Sequence, residues 1–315
     1  MDLHAKRLKT ELVAPINLLM LIQFGEFIEG VDVNWSSVLI LMVGSAVLLA
    51  LLAPGWWRKR QLQKASADAF PRQHRQWLRQ HWPLYRHLPT DVKLRLHKQI
   101  QRFLADKEFI GCDGLVVTAP MRLLIAAQAS LLSLNQPDSD YPELRQILIY
   151  PDAFVVRNQH ADATGIISEQ PQVRLGESWT QGQVILSWRH TKAGADAPYD
   201  GQNLVFHEFA HQLDQASGSA NGAPPQPTLA LQQRWAEHMP ILFANFCQDI
   251  AQGKPRLLDP YGCTNPAEFF AVATECFFER PNQLQLDSPS LYLLLKDYFQ
   301  FDPKQWHDGP QPRAI

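Results

Sequence analysis

Leu204-Val205-Phe206-His207-Glu208-Phe209-Ala210-His211-Gln212-Leu213-Asp214 sets two histidines four residues apart in a largely apolar run. That spacing puts both on one face of a helix, about a turn apart, where they can reach a common metal ion. Glu208, next to His207, leans to the side of the pair. A carboxylate there meets a metal-bound water without ligating the ion, as a general base requires. The apolar Leu204–Phe206 and Phe209-Ala210 predict a buried helix, which a pair of solvated histidines would not need. The pattern H-E-x-x-H arises by chance in a chain of this length at the order of a few per cent. A third ligand therefore has to be found.

A catalytic zinc ion ordinarily has three protein ligands and one exchangeable position. Metzincins take the third ligand six residues after the second histidine, but that position here is Ser217, which excludes their arrangement. A carboxylate on a later helix is the alternative, and Pro266-Ala267-Glu268-Phe269-Phe270-Ala271-Val272-Ala273-Thr274-Glu275 supplies two. Asn265 suits an N-cap and Pro266 the first helical position, which places Glu268 in the first turn. Glu268 and Glu275 lie seven apart and share a face among apolar residues, where an unpaired charge is costly. The preferred assignment makes Glu268 the ligand and Glu275 an orienting or helix-pairing group. Asp214, three residues after His211, could ligate but more readily accepts a hydrogen bond that orients a neighbour. Tyr261, in Asp259-Pro260-Tyr261-Gly262, is either an ordinary loop tyrosine or a phenol that stabilises an oxyanion.

Outward from this helix the chain reads as α+β. Phe70–Asp106 alternates apolar and basic residues at helical spacing, punctuated by Pro83 and Pro89, and predicts two or three short helices with a solvated basic face. Met121–Leu134 is a strongly apolar helix, with Thr118 as cap. Ile147–Val156 reads as strand, broken at Pro151-Asp152, and Gln183–Trp188 as a short strand able to pair with an extended substrate. His160–Trp179 reads as loop or irregular hairpin. Asn203–Ser217, Ala230–Gln252, Pro266–Glu279 and Leu291–Phe299 read as helices, with a Gly- and Pro-rich loop over Gly218–Pro227.

The compositional outlier is Ser36–Ala53, eighteen residues without a charge. As a helix they rise about 27 Å, close to the ~30 Å hydrocarbon core of a bilayer. Trp35 and Trp56-Trp57 bracket the run, and Arg58-Lys59-Arg60 and Lys64 follow it. Interfacial tryptophans and the positive-inside rule predict a single-pass anchor in the inner membrane, with the C-terminal side cytoplasmic. A signal peptide would carry its basic residues before the apolar run. Leu12–Phe24 is shorter, contains Pro15 and Asn17, and suits an interfacial helix or half of a shallow hairpin. The expected organisation is an N-terminal segment (1–34), a transmembrane helix (35–57), a basic linker (58–69), a catalytic domain (70–303) and a tail (304–315).

Lys plus Arg number 29 and Asp plus Glu 31, so no global basic field suggests nucleic acid as a partner. Cys112, Cys247, Cys263 and Cys276 form no C-x-x-C pair, so neither a disulfide framework nor a cysteine zinc site is expected.

Taken together, Pro83-Leu84-Tyr85, Phe109-Ile110-Gly111-Cys112, Ile125-Ala126-Ala127-Gln128-Ala129, His207–Asp214 and Asn265–Pro281 resemble the zinc-dependent peptidases of the Mlc titration factor A family over roughly residues 70–303. The resemblance implies a zincin-like metallopeptidase domain with aminopeptidase activity on peptide or protein substrates. Zinc would be held by His207, His211 and Glu268, with Glu208 as general base. The family's core is similar to that of anthrax lethal factor, in which a tyrosine seven residues before the third ligand assists catalysis; this implies the same role for Tyr261. A family member that binds the repressor Mlc implies a second class of function, in which a membrane-tethered protein sequesters a transcription repressor. The N-terminal anchor departs from the family pattern.

Overall fold

The computed structural model describes residues 34–136, 140–161, 167–174, 176–179 and 182–307. The chain divides into two compact units, 1–59 and 60–315. The apolar run forms helix α1 (Trp35–Ala65), which is long and apolar enough to cross a membrane. Leu12–Phe24 lies outside the described residues.

In the larger unit, Leu62 near the end of α1 is buried, and the chain continues into α2 (Arg72–His81), α3 (Pro83–His87) and α4 (Thr90–Asp106). Pro83 occupies the first turn of α3, where its missing N–H costs nothing. Strand β1 (Glu108–Gly111) leads to α5 (Ala119–Ser133), in which every residue from Leu123 to Ser133 is buried. A helix apolar around its whole circumference must be packed on all sides, and α5 is the central helix of the core.

Strand β2 (Gln146–Tyr150) precedes the antiparallel hairpin β3 (Phe154–Ala161) and β4 (Ile167–Arg174). Strands β5 (Gly176–Trp179) and β6 (Gln183–Ser187) complete a four-stranded sheet in the order β1-β2-β6-β5. The first three strands of that order are parallel and β5 is antiparallel to β6. Ile147, Ile149, Val184 and Leu186 are fully buried on one face of the sheet, while Leu148, which points to the other face of β2, is only half-buried.

The expected strand break at Pro151-Asp152 separates β2 from β3, and His160–Trp179 contains most of the hairpin and β5. The expectation that Gln183–Trp188 pairs with substrate fails. Strand β6 is hydrogen-bonded to β2 on one side and β5 on the other, so its backbone groups are already used. Trp188 opens the next helix instead of ending the strand.

Helices make up the rest: α6 (Trp188–Asp196), α7 (Leu204–Asp214), α8 (Leu229–Ala251), α9 (Pro266–Glu279), α10 (Pro281–Asp287), α11 (Pro289–Phe299) and α12 (Lys304–His307). Single 3₁₀ turns cover Gln215–Ser217 and Pro260–Cys263. The domain is thus mostly helical around a small sheet. Helix α7 packs against α5, α6, α9 and the β5–β6 edge.

Candidate metal centre

Helix α7 begins at Asn203, whose side-chain oxygen accepts the Phe206 N–H at 3.1 Å. Helix α9 begins the same way: Asn265 accepts the Glu268 N–H at 3.0 Å, and Pro266 occupies the first turn. Each cap satisfies a donor that a helix start leaves open, and so fixes the first turn. In α9 that turn carries Glu268. The two helices pack together and set three side chains face to face.

His207, His211 and Glu268 offer one ligand atom each, and these atoms lie within 4.8 Å of one another. Glu268 Oε2 is 3.0 Å from His207 Nε2 and 3.3 Å from His211 Nε2. On its other side, His207 Nδ1 meets Glu275 Oε1 at 2.8 Å. Glu275 Oε2 also accepts the Asn203 N–H, which ties it to the start of α7. Burial opposes a charge on His207, but its bonds to Glu268 and Glu275 outweigh that and raise its pKa well above the ordinary imidazole value. Burial likewise opposes charge on Glu268, yet the two imidazoles hold its carboxyl well below the usual range. Two imidazoles and a carboxylate thus converge on one point. That is the chemistry a divalent cation needs from nitrogen and oxygen ligands.

Glu208 is 4% exposed, and its Oε2 has no hydrogen-bond partner among the described residues. Burial pushes its pKa up to about 7; the imidazoles of His207 and His211 pull it down, and Glu268 and Glu275 push it further up. A buried carboxylate oxygen left without a partner beside a cluster of ligand atoms fits a centre that holds a metal ion. A carboxyl titrating near neutrality can exchange protons at physiological pH.

Asp214 lies at the end of α7, fully buried, and its Oδ2 accepts the Gly222 N–H at 2.7 Å. Gly222 has φ +76°, and a Cβ there would stand 2.4 Å from the Pro266 carbonyl oxygen. The Trp235 indole N–H donates to the Gly222 carbonyl at 2.9 Å. Asp214 therefore stitches the loop after α7 against the first residue of α9, two residues before Glu268. Tyr261 sits in the 3₁₀ turn, with its ring centroid 6.2 Å from that of His207 and half its surface exposed. Its N–H is held by Asp259 at 2.8 Å, and Gly262 beside it packs closely on Val272 of α9.

The model of the glucose-regulated metallo-peptidase M90 family matches residues 55–300. The chain belongs to the M90 family. A relative in Synechocystis, an uncharacterized protein, is 39% identical over 265 residues, covering 82% of this chain and 95% of its own. Mlc titration factor A of Pectobacterium atrosepticum is 30% identical over 248 residues, covering 75% of this chain and 92% of its own. The Serratia proteamaculans protein of that name is 32% identical over 224 residues, covering 70% and 84%.

The M90 chain also holds polar residues behind the histidines that the sequence did not single out for the site. Asn203 Nδ2 donates to Gln128 Oε1 at 2.8 Å and to Glu279 Oε1 at 3.0 Å. Glu279 accepts the Gly201 N–H at 3.1 Å, and burial raises its pKa well above the ordinary value. The available signal was the placement of Gln128 and Glu279 in strongly apolar helices. Their common partner, 75 or more residues away along the chain, was invisible.

Proposed function

We propose that this chain is a zinc-dependent peptidase of aminopeptidase type, with a zincin-like domain tethered to the cytoplasmic face of the inner membrane by α1. The observation that carries the reading is the convergence of His207, His211 and Glu268 beside the buried, unpartnered carboxylate oxygen of Glu208. Those three residues would hold the zinc ion. When bound, zinc supplies a Lewis acid that polarises the scissile carbonyl and acidifies water. Glu208 takes a proton from the attacking water and delivers it to the departing amine, a task suited to a carboxyl titrating near 7. Glu275 holds His207 through Nδ1, fixing the ring so that Nε2 faces the centre. Asp214 orients the neighbouring chain through Gly222. Tyr261, at the rim above His207, donates to the oxyanion of the tetrahedral intermediate. The membrane reading is supported by the length and apolarity of α1, by its bracketing tryptophans and by the basic run after them.

The test is Glu208→Gln, assayed on amino-acyl and longer peptide substrates with metal content measured in parallel. Retained zinc with hydrolysis lowered by several orders of magnitude is the expected result. Full hydrolysis by a zinc-loaded variant would overturn the mechanism.

A second reading follows from the name of the relatives. In it the chain is a membrane-tethered regulator that sequesters an Mlc-like repressor, with peptidase activity minor. Intact Glu208 speaks for chemistry, since a pure binder has no use for a buried base. A pull-down with Glu208→Gln separates the two, because a regulatory effect that survives loss of hydrolysis favours sequestration.

A further inference from the structure

The balanced net charge conceals a strong segregation. Residues 58–107 contain thirteen of the 29 basic residues but only three of the 31 acidic ones, so the remaining residues are strongly acidic. From Phe70 to Thr90 there is no acidic residue at all. The fold gathers these cations instead of dispersing them. Arg72, Arg75 and Arg79 are exposed on α2, and Arg86 is exposed on α3. Arg86 donates to the Arg79 carbonyl at 2.5 Å and to the Gln80 carbonyl at 3.3 Å, and Lys93 of α4 donates to the Arg86 carbonyl at 2.9 Å. Arg75, Arg79 and Lys93 all act electrostatically on the same buried imidazole, His97.

Among the described residues no carboxylate pairs with Arg72, Arg75, Arg79, Arg86 or Lys93. Of the three acids in residues 58–107, Asp91 pairs with Arg95 and Asp106 with Lys107. A cluster of like charges without counter-charges in the fold repels itself, and an external anion relieves that repulsion. The cluster follows α1 directly in the chain. Arg72, the first of these arginines, stands fifteen residues after Trp57 along the chain. A basic cluster that closely follows a membrane span in sequence is attracted by anionic headgroups, whose potential falls off within about a Debye length.

We propose that the cationic face formed by α2, α3 and the first turn of α4 docks on the anionic phospholipid headgroups of the bilayer that α1 enters. The inference rests on α1 being a membrane span, and the experiment reads that separately. The full chain is reconstituted in nanodiscs of phosphatidylcholine alone, and of phosphatidylcholine with about a third phosphatidylglycerol. Incorporation through α1 is read by co-elution with the disc. Arginine modification by phenylglyoxal is then followed residue by residue by mass spectrometry, with Arg189 as the reference.

The expected result is a several-fold slower modification of Arg72, Arg75, Arg79 and Arg86 in the anionic discs, abolished at about 0.5 M salt, with Arg189 unchanged. Arg75→Gln/Arg79→Gln should weaken the protection of Arg72 and Arg86 while the protein stays folded by circular dichroism. Incorporated protein modified equally fast in both lipids overturns the docking and leaves the span intact; protein that does not co-elute overturns the span and the docking with it. Protection by added duplex DNA in neutral discs, without protection by anionic lipid, also overturns the proposal and assigns the face to nucleic acid.

Discussion

Gly222 has a left-handed φ and stands against Pro266, a combination that no side chain tolerates without movement. Gly222→Ala is therefore expected to cost roughly 1–3 kcal/mol of stability and to weaken metal binding, because Pro266 begins the turn that carries Glu268. Urea unfolding and chelator competition measure the two effects, and an unchanged affinity would break the proposed link from Asp214 to Glu268. Glu275→Gln keeps the size of the side chain but removes the charge facing His207 Nδ1. It should lower metal affinity by about 10–100-fold; equal affinity in the same chelator titration would remove Glu275 from the centre. His207, Glu208, His211 and Glu268 could be picked out from sequence because helical periodicity and first-turn placement are local rules. Asn203 could be read only as a helix start. Its bonds to Gln128 and Glu279 depend on how three helices meet, which no window of sequence contains.

At the scale of elements, the start of α7 is held by a cap that also serves two buried side chains. Asn203→Ala removes a cap worth about 1 kcal/mol and takes the shared donor from Gln128 Oε1 and Glu279 Oε1, so a loss of about 2–4 kcal/mol is expected in urea unfolding. A loss of only a few tenths would mean that the network contributes nothing beyond solvation. In α1, Leu48→Arg places a charge in the apolar run at an insertion cost of about 3 kcal/mol. Alkaline carbonate extraction should then release the protein from membranes that retain the wild type, and unchanged retention would count against a span. The helices were the legible elements, since amphipathic period and caps announce them. Strand β1, four residues long, is too short to show alternation. The interior position of β6 was hidden because β5, just before it, reads as part of a loop or irregular hairpin, and its other neighbour, β2, lies more than thirty residues earlier.

For the whole molecule, the segregated charge has a thermodynamic signature. His97 is buried, stacked on Phe70 at 4.3 Å and bonded to the Tyr85 hydroxyl at 2.7 Å. Burial, aided by Arg75, Lys93 and Arg79, lowers its pKa from the ordinary 6.5 to about 4. Between those values the unfolded chain binds a proton that the folded chain refuses. Stability from this residue is therefore complete above about 6.5 and is lost as pH falls toward 4. Unfolding free energies across that window should slope less steeply in His97→Gln, and identical slopes would show that His97 titrates normally when folded.

The stitch from Asp214 through Gly222 to Pro266 also bears on how the ion arrives. Glu268 lies 57 residues beyond His211 along the chain, yet the Asp214–Gly222–Pro266 contacts tie the ends of the two helices together. The expected outcome is that metal binds to an already folded site, unlike the metal-driven folding of a zinc finger. Uptake should be single-exponential and first order in free metal. It should leave the far-ultraviolet dichroism unchanged while raising the melting temperature in proportion to the logarithm of metal concentration.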